Sequence, residues 1–459
     1  MDAAIVFARL ITGTKFEDLP KNDVEAIKID ILDSLGAMIG GSTTEKAAGE
    51  IVAMVKEAGG KKESRIISYG GEVPSWMAAF ANGAMAHVLD YEDTHDASLA
   101  HVGGCTLPAA LAAADAVGGI TGKEFMTAFA LGGEILIRLG LARIHPSAWY
   151  LFMLPSVFGT FSSTAAASRI CKLSEDQVIN AFGFALQQAA GSWEVNFDPG
   201  SHVRAIRDAF SAKAGMLSAL LAKRGIRAAR NSLEGKAGLL NMHLKGEYDP
   251  VPLTNELGKY WHIAELSFKP WPSSRWTHAH IDAAIRILED EDIKPEHIEE
   301  ITGVIGISGT MMFDPIEKKR RPETGIDAKA SLPFTLAIAA LRRKLVIADF
   351  LEDALRDPAV LEMANRVNYR FEEDADTTSL RPGIIEIKTK DGKLYKNRID
   401  YPYGHPKNPL STNDIIAKFK DCSNYSAKPM TNETINEVID LLMNLEKVND
   451  IKKVITLVS

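Results

Sequence analysis

The feature that most constrains this fold is a succession of helical segments built on Ala, Gly and Ser through the first half of the chain. From Asp23, apolar residues fall at Ile27, Ile31, Leu35 and Met38, a helical stripe that Gly40-Gly41 is expected to close. Thr121-Gly-Lys-Glu124 and Ser174-Glu-Asp-Gln177 fit the capping box, in which two side chains satisfy each other's free amides. Each precedes an apolar helical run. The run Asp208–Lys223 is Ala-rich and stops at Gly225. Small side chains let helix axes approach closely, so these segments predict a compact bundle.

The pattern changes near Leu266. Glu300–Ile307 reads as a strand, and Ile384–Lys388 and Leu394–Ile399 flank the hairpin signal Asp391-Gly392. Helical patterns lie between them at Asp327–Leu341 and Ile347–Arg366. From Asn413 the pattern is helical again and ends in Glu433–Leu445. The expected fold is mainly α: a large all-helical domain with a smaller α+β domain inserted before the C-terminal helices. The expected divisions are residues 1–265, 266–405 and 406–459. A length of 459 residues fits two domains or three.

A net charge of −8 argues against a nucleic-acid partner, which favours a basic face. It leaves room for an anionic small molecule held by a few converging Lys and Arg. Cys105, Cys171 and Cys422 are too scattered for a disulfide framework or a CxxC metal site. Met1–Ile5 lacks a basic leader and no stretch suits a bilayer span, so a cytoplasmic protein with no membrane partner is expected. Gly36, Gly40 and Gly41 do not match GxGxxG, and GxSxG is absent; nicotinamide cofactors, ATP and serine-hydrolase chemistry lose support. The charge run Lys318–Arg321 reads as a solvated loop.

Three polar clusters stand out. The first, Asn82 to Asp96, carries His87, Asp90, Glu92, Asp93, Thr94 and His95, and His101 follows. It lies between the apolar runs Trp76–Ala86 and Pro108–Val117, where carboxylates and imidazoles are costly unless paired or used. The same residues also suit helix caps and loop hydrogen bonds, and spacing alone leaves the two readings even. No HxxxH or HExxH pattern supports a metal. The second cluster, Gly200 to Asp208, sets Arg204 and Arg207 at a helix start, a carboxylate cradle or an exposed basic turn. The third runs from Ser267 to Asp282 at the suspected domain boundary, where clefts form. There Lys269 and Arg275 could bind carboxylates, and His278 and His280 could transfer protons or simply be polar positions in the first turns of a helix.

These clusters, in this order, resemble the MmgE/PrpD family of 2-methylcitrate dehydratases, cis-aconitate decarboxylases and iminodisuccinate epimerases. The resemblance rests on Ile31–Gly36, Ala79–Gly83 running into Asp90-Tyr-Glu-Asp-Thr94, Pro108-Ala-Ala-Leu, Leu233-Glu-Gly235, Phe268–Ser273 with His278 and Asp282, and Lys329-Ala-Ser-Leu-Pro-Phe334. It spans roughly residues 5–445. It implies an all-α domain with a smaller α+β lid, a homodimer, an active site between the domains, and neither metal nor organic cofactor.

Residue by residue, the resemblance implies catalytic roles for Asp90, Thr94, His101 and Lys269. Arg204, Ser273, Ser274, Arg275 and His278 are the expected substrate-binding residues. Met153 stands where the family usually carries a histidine, Arg204 where it often has lysine, and Ser273-Ser274 where the decarboxylases place a histidine. The expected activity is a cofactor-independent lyase that dehydrates a 2-methylcitrate- or citrate-like di- or tricarboxylate. Decarboxylation or epimerisation with nearly the same residues is the alternative, and a non-catalytic carboxylate-binding homologue is another.

Overall fold

The computed structural model describes residues 1–144, 151–198, 200–372 and 382–459. The fold is mainly α. Both anticipated capping boxes form, Thr121 with Glu124 and Ser174 with Gln177, and they start helices Gly122–Leu141 and Glu175–Gln188. Asp208–Lys223 is a helix as expected. The first apolar stripe corrects one expectation: helix Lys21–Thr44 runs through Gly40-Gly41. Those glycines mark close approach rather than an end, because a Cβ at Gly41 would sit 2.2 Å from the Met85 carbonyl oxygen. Gly83 plays the same part in helix Ser75–Ala86, where a Cβ would lie 2.7 Å from the carbonyl oxygen of Asp208.

One hydrophobic core spans the helical part, with Phe125, Phe129, Phe161 and Phe182 fully buried. A second core gathers helices Arg275–Asp290 and Leu332–Arg342 on a four-stranded sheet. Its strand order is Val367–Phe371, Ile298–Ile305, Gly383–Thr389, Leu394–Ile399. The first pair is parallel and the others antiparallel, with Ile301 opposite both Val367 and Ile387. The strand Val367–Phe371 is absent from the sequence reading. The helical expectations beside it also need correction. Residues 327–341 divide between helices Gly325–Lys329 and Leu332–Arg342, and residues 347–366 break into short turns before helix Pro358–Ala364.

The helical and α+β parts meet through a small cluster of Leu89, Tyr91, Ile347 and Cys422. Helix Thr412–Ser423 returns to the bundle, where Phe419 lies against Gly36 of the first long helix. Its Lys418 pairs with Asp33 at 2.6 Å and donates to the carbonyls of Tyr91 and Lys269, tying together two segments that build the site. No helix among the described residues is long and apolar enough to cross a membrane.

Candidate active site

The first cluster leaves helix Ser75–Ala86 at His87 and enters helix Val102–Val117 at His101. Asp93 caps the second helix, accepting from the amides of Val102 and Gly103 at 2.7 and 2.8 Å. Burial pushes its carboxyl up to about 7 against those bonds. Asp90 takes a left-handed backbone, φ 48°, which Asp tolerates better than most residues. The turn aims its carboxylate at Lys269, 2.6 Å away. Lys269 is fully buried and also donates to the Asp90 carbonyl at 3.0 Å. Two backbone hydrogen bonds of 2.8 Å between Thr94 and Ser267 join the cluster to the Lys269 segment.

A cavity of about 580 Å³ opens against this loop. His87, Asp90, Thr94, His101, Met153, Arg204, Arg207, Ser274 and Arg275 all line it. Lys269, Ser273 and His278 stand behind its wall. Ser273 and His278 are fully buried, and their side chains bond each other at 3.3 Å. Arg275 is committed on one side to Asp96, with bonds of 2.7 and 2.8 Å. Burial opposes ionisation of Asp96, but the Arg275 charge and hydrogen bond bring its carboxyl down to about 2.

Electrostatics sets the protonation states. Burial alone would raise the Asp90 carboxyl; Lys269, His87 and Arg204 outweigh it and hold the group well below the usual carboxylate range. His101 goes the other way. Burial first, and the Lys269 ammonium second, keep its imidazole well below its ordinary value and therefore neutral. Its Nδ1 lies 2.8 Å from the Asp93 carbonyl, which can only accept. Nδ1 therefore carries the hydrogen, and Nε2 is left with a basic lone pair. Thr94 Oγ1 is 3.3 Å from the same Nδ1 and steadies the ring.

Several residues that the sequence placed in polar clusters or motifs without a role of their own take definite positions here. His87 gives its Nδ1 to Glu92, and its Nε2 is buried with no hydrogen-bond partner. Glu92 also approaches His101 Nδ1 at 3.3 Å, so one carboxylate backs two imidazoles. Arg207 reaches the Met153 sulfur at 3.5 Å and its Nε lies 3.4 Å from Asp208 Oδ1, while Arg275 Nη1 is buried with no hydrogen-bond partner. Buried polar atoms are nearly always bonded, so orphans on a cavity wall mark where a polar ligand belongs. The charge run Lys318–Arg321 is a further correction. It is helical rather than a loop, overlapping helix Ile316–Arg320; Lys318 and Arg321 are exposed as expected, yet they line the cavity together with the half-buried Lys319. Lys319 bonds the Ala330 carbonyl at 2.8 Å, and burial pushes its ammonium down to about 8. Lys329 is buried nearby, bonds the Val88 carbonyl at 3.1 Å, and is likewise pushed to about 8. The sequence named these residues, but their mutual contacts depend on how distant segments fold together.

The described lining holds seven Lys and Arg side chains against four Asp and Glu, an excess of three positive charges. An apolar wall that includes Phe152, Met153 and Trp193 completes the cavity. The arrangement can hold a multiply charged carboxylate, take a proton at His101 Nε2 and place a second imidazole nearby, the two rings being 5.2 Å apart. His87, Glu92 and His101 have donor atoms close enough to hold a metal ion. The adjacent Arg207 and Lys269 charges oppose a cation there.

The MmgE/PrpD N-terminal domain family matches residues 6–250, and the MmgE/PrpD C-terminal domain family matches residues 271–444. The chain is 27% identical to a cis-aconitate decarboxylase of Homo sapiens, over 98% of this chain and 93% of the relative. It is 25% identical to the cis-aconitate decarboxylase of Aspergillus terreus (strain NIH 2624 / FGSC A1156), over 96% and 93% of the two chains. The Mus musculus enzyme of the same name is 27% identical, over 97% and 91%. Two domain matches that together take in most of the sequence lead to one conclusion: the chain belongs to the MmgE/PrpD family.

Proposed function

We propose that this protein is a cofactor-independent lyase that removes water from a 2-methylcitrate- or citrate-like di- or tricarboxylate. The observation that carries the reading is the surplus of positive charge around a neutral, oriented His101. Cations on a substrate's carboxylates stabilise the enediolate that forms when the adjacent carbon loses its proton. His101 Nε2 takes that proton. Arg204 and Arg207 hold the carboxylate beside it, and Asp90, fixed by Lys269, orients the substrate hydroxyl. His87, backed at Nδ1 by Glu92, delivers a proton from Nε2 to the departing hydroxyl. Arg275 and Ser274 extend the carboxylate contacts. Ser273, His278 and Lys269 act from behind the wall by positioning. The α+β part as a lid, a homodimer and a cytoplasmic location belong to the same reading.

Decarboxylation is the second reading, and it has support of its own. The relatives named above are cis-aconitate decarboxylases. A carboxylate set against the apolar side chains of Phe152 and Trp193, rather than against the arginines, would be less held by ion pairs that oppose loss of CO₂.

Incubation with 2-methylcitrate, citrate, cis-aconitate and iminodisuccinate in heavy water, followed by NMR, tests both. Unsaturated products from the hydroxy acids support dehydration. Turnover confined to cis-aconitate with CO₂ release replaces it with decarboxylation. Epimerisation of iminodisuccinate replaces it with epimerase chemistry. Binding with neither turnover nor deuterium uptake makes the protein a carboxylate binder.

A further inference from the structure

A second imidazole–carboxylate cluster lies outside the cavity, and we propose that His95, His262 and Glu265 form a binding site for a divalent transition metal ion of the zinc type. His95 Nε2 and His262 Nδ1 each lie 3.1 Å from the same oxygen, Glu265 Oε2. All three donor atoms fall within 4.8 Å of one another. A tetrahedral zinc ion with bonds of about 2.0–2.2 Å spaces its donors about 3.3–3.5 Å apart. The three atoms therefore need only small shifts to admit the ion. Two imidazoles and one carboxylate are also the donor set such ions favour.

Each donor is already oriented. Ser98 meets His95 Nδ1 twice, through Oγ at 2.9 Å and through its backbone N–H, which donates, at 3.2 Å; with the hydrogen moved to Nδ1 and given to Oγ, Nε2 is the nitrogen that ligates. The Tyr260 hydroxyl bonds the other oxygen of Glu265. The His262 amide is anchored to Glu134 at 2.8 Å. His95 is held by paired backbone bonds, His95 N to Ala100 O and Leu99 N to His95 O, both 2.8 Å. Among the described residues the ion pairs of Glu265 are with these two histidines, and no lysine or arginine competes for it. This separates the cluster from His87, Glu92 and His101, where Arg207 and Lys269 supply opposing charge. Glu265 is part exposed, which leaves a side for entry and for a water as fourth ligand.

His95 directly follows Thr94, so an ion here would clamp the loop from Asp90 to His101 to the segment that leads into Lys269. Its expected role is to brace the site, not to act on substrate.

The test uses the intact, chelator-treated protein titrated with Zn²⁺ against a zinc indicator. Co²⁺ serves as a visible probe of imidazole coordination. One equivalent is expected to bind and to raise the melting temperature. H262A and E265Q should each weaken binding by more than about tenfold, the loss that even outer-shell changes produce. His87→Asn should bind the ion as the unaltered protein does. E265Q keeps the size and polarity of Glu265 while removing its charge, so its effect is readable even if H262A folds poorly. Unchanged affinity in both variants overturns the proposal and leaves the trio a hydrogen-bonded joint. Loss of binding in His87→Asn instead moves the ion to the cavity and also overturns it.

Discussion

Replacing Asp90 by Asn removes one charge from a buried pair while keeping its shape. Lys269 is fully buried, with its Nζ 2.6 Å from Asp90 Oδ1. At that separation two unit charges attract by about 6 kcal/mol at an effective dielectric of 20. The cost of taking both from water cancels much of this, so the intact pair adds little net stability. Breaking it is different. The stranded ammonium keeps its bond to the Asp90 carbonyl but loses its counter-charge, at a cost of about 3–5 kcal/mol. Lys269→Met should cost less, because Arg204 still approaches Asp90 at 3.5 Å. The double variant should recover most of the Asp90→Asn loss, with a coupling of about 2–3 kcal/mol. Urea denaturation of the four proteins measures the cycle. The pH dependence supplies its sign. A carboxylate held low in the fold stabilises above its unfolded pKa of about 3.9 and loses that effect as the pH falls through its folded value. An Asp90→Asn variant within 0.5 kcal/mol of the unaltered protein (roughly the scatter of ordinary surface changes), or strictly additive losses, would refute the reasoning.

Other outcomes follow from the same geometry. His101→Gln should lower turnover by about 10²–10⁴-fold while leaving substrate affinity nearly intact, read by steady-state kinetics and by titration calorimetry. Because His101 stays neutral below the ordinary histidine range, kcat/KM should hold level through pH 6–7 and fall only at lower pH. Lys319 loses its charge as the pH passes about 8, so KM should rise on the alkaline side, and Lys319→Arg should move that rise to higher pH. Gly83→Ala would place a Cβ 2.7 Å from the Asp208 carbonyl oxygen. It should cost about 1–3 kcal/mol in thermal unfolding and shift neighbouring Arg207 enough to lower activity.

Much of the helical part was legible because its signals are local. Thr121 with Glu124 and Ser174 with Gln177 satisfy amides within one turn, whatever packs outside. What was lost depends on partners far away in the chain. Val367–Phe371 becomes a strand through parallel pairing with Ile298–Ile305, which no nearby residue announces. Gly40-Gly41 reads as a stop until Met85 is seen to press against it. Lys318–Arg321 reads as solvated because a run of like charge usually is; here the fold lays it over a cavity. That the loop from Asp90 to His101 forms a dense polar cluster was legible, but the Glu92 bridge between His87 and His101 was not, since it depends on how the loop turns back on itself.

The paired backbone bonds between Thr94 and Ser267 have a mechanical meaning. They fasten the loop from Asp90 to His101 to the segment carrying Lys269, so these two parts of the candidate site are held as one piece. Residues of other segments, among them Lys318, Arg321 and Glu323 with Trp193 and Phe197, line the same cavity. Substitutions at these residues should change how quickly molecules come and go, and leave the fastened pair of segments untouched.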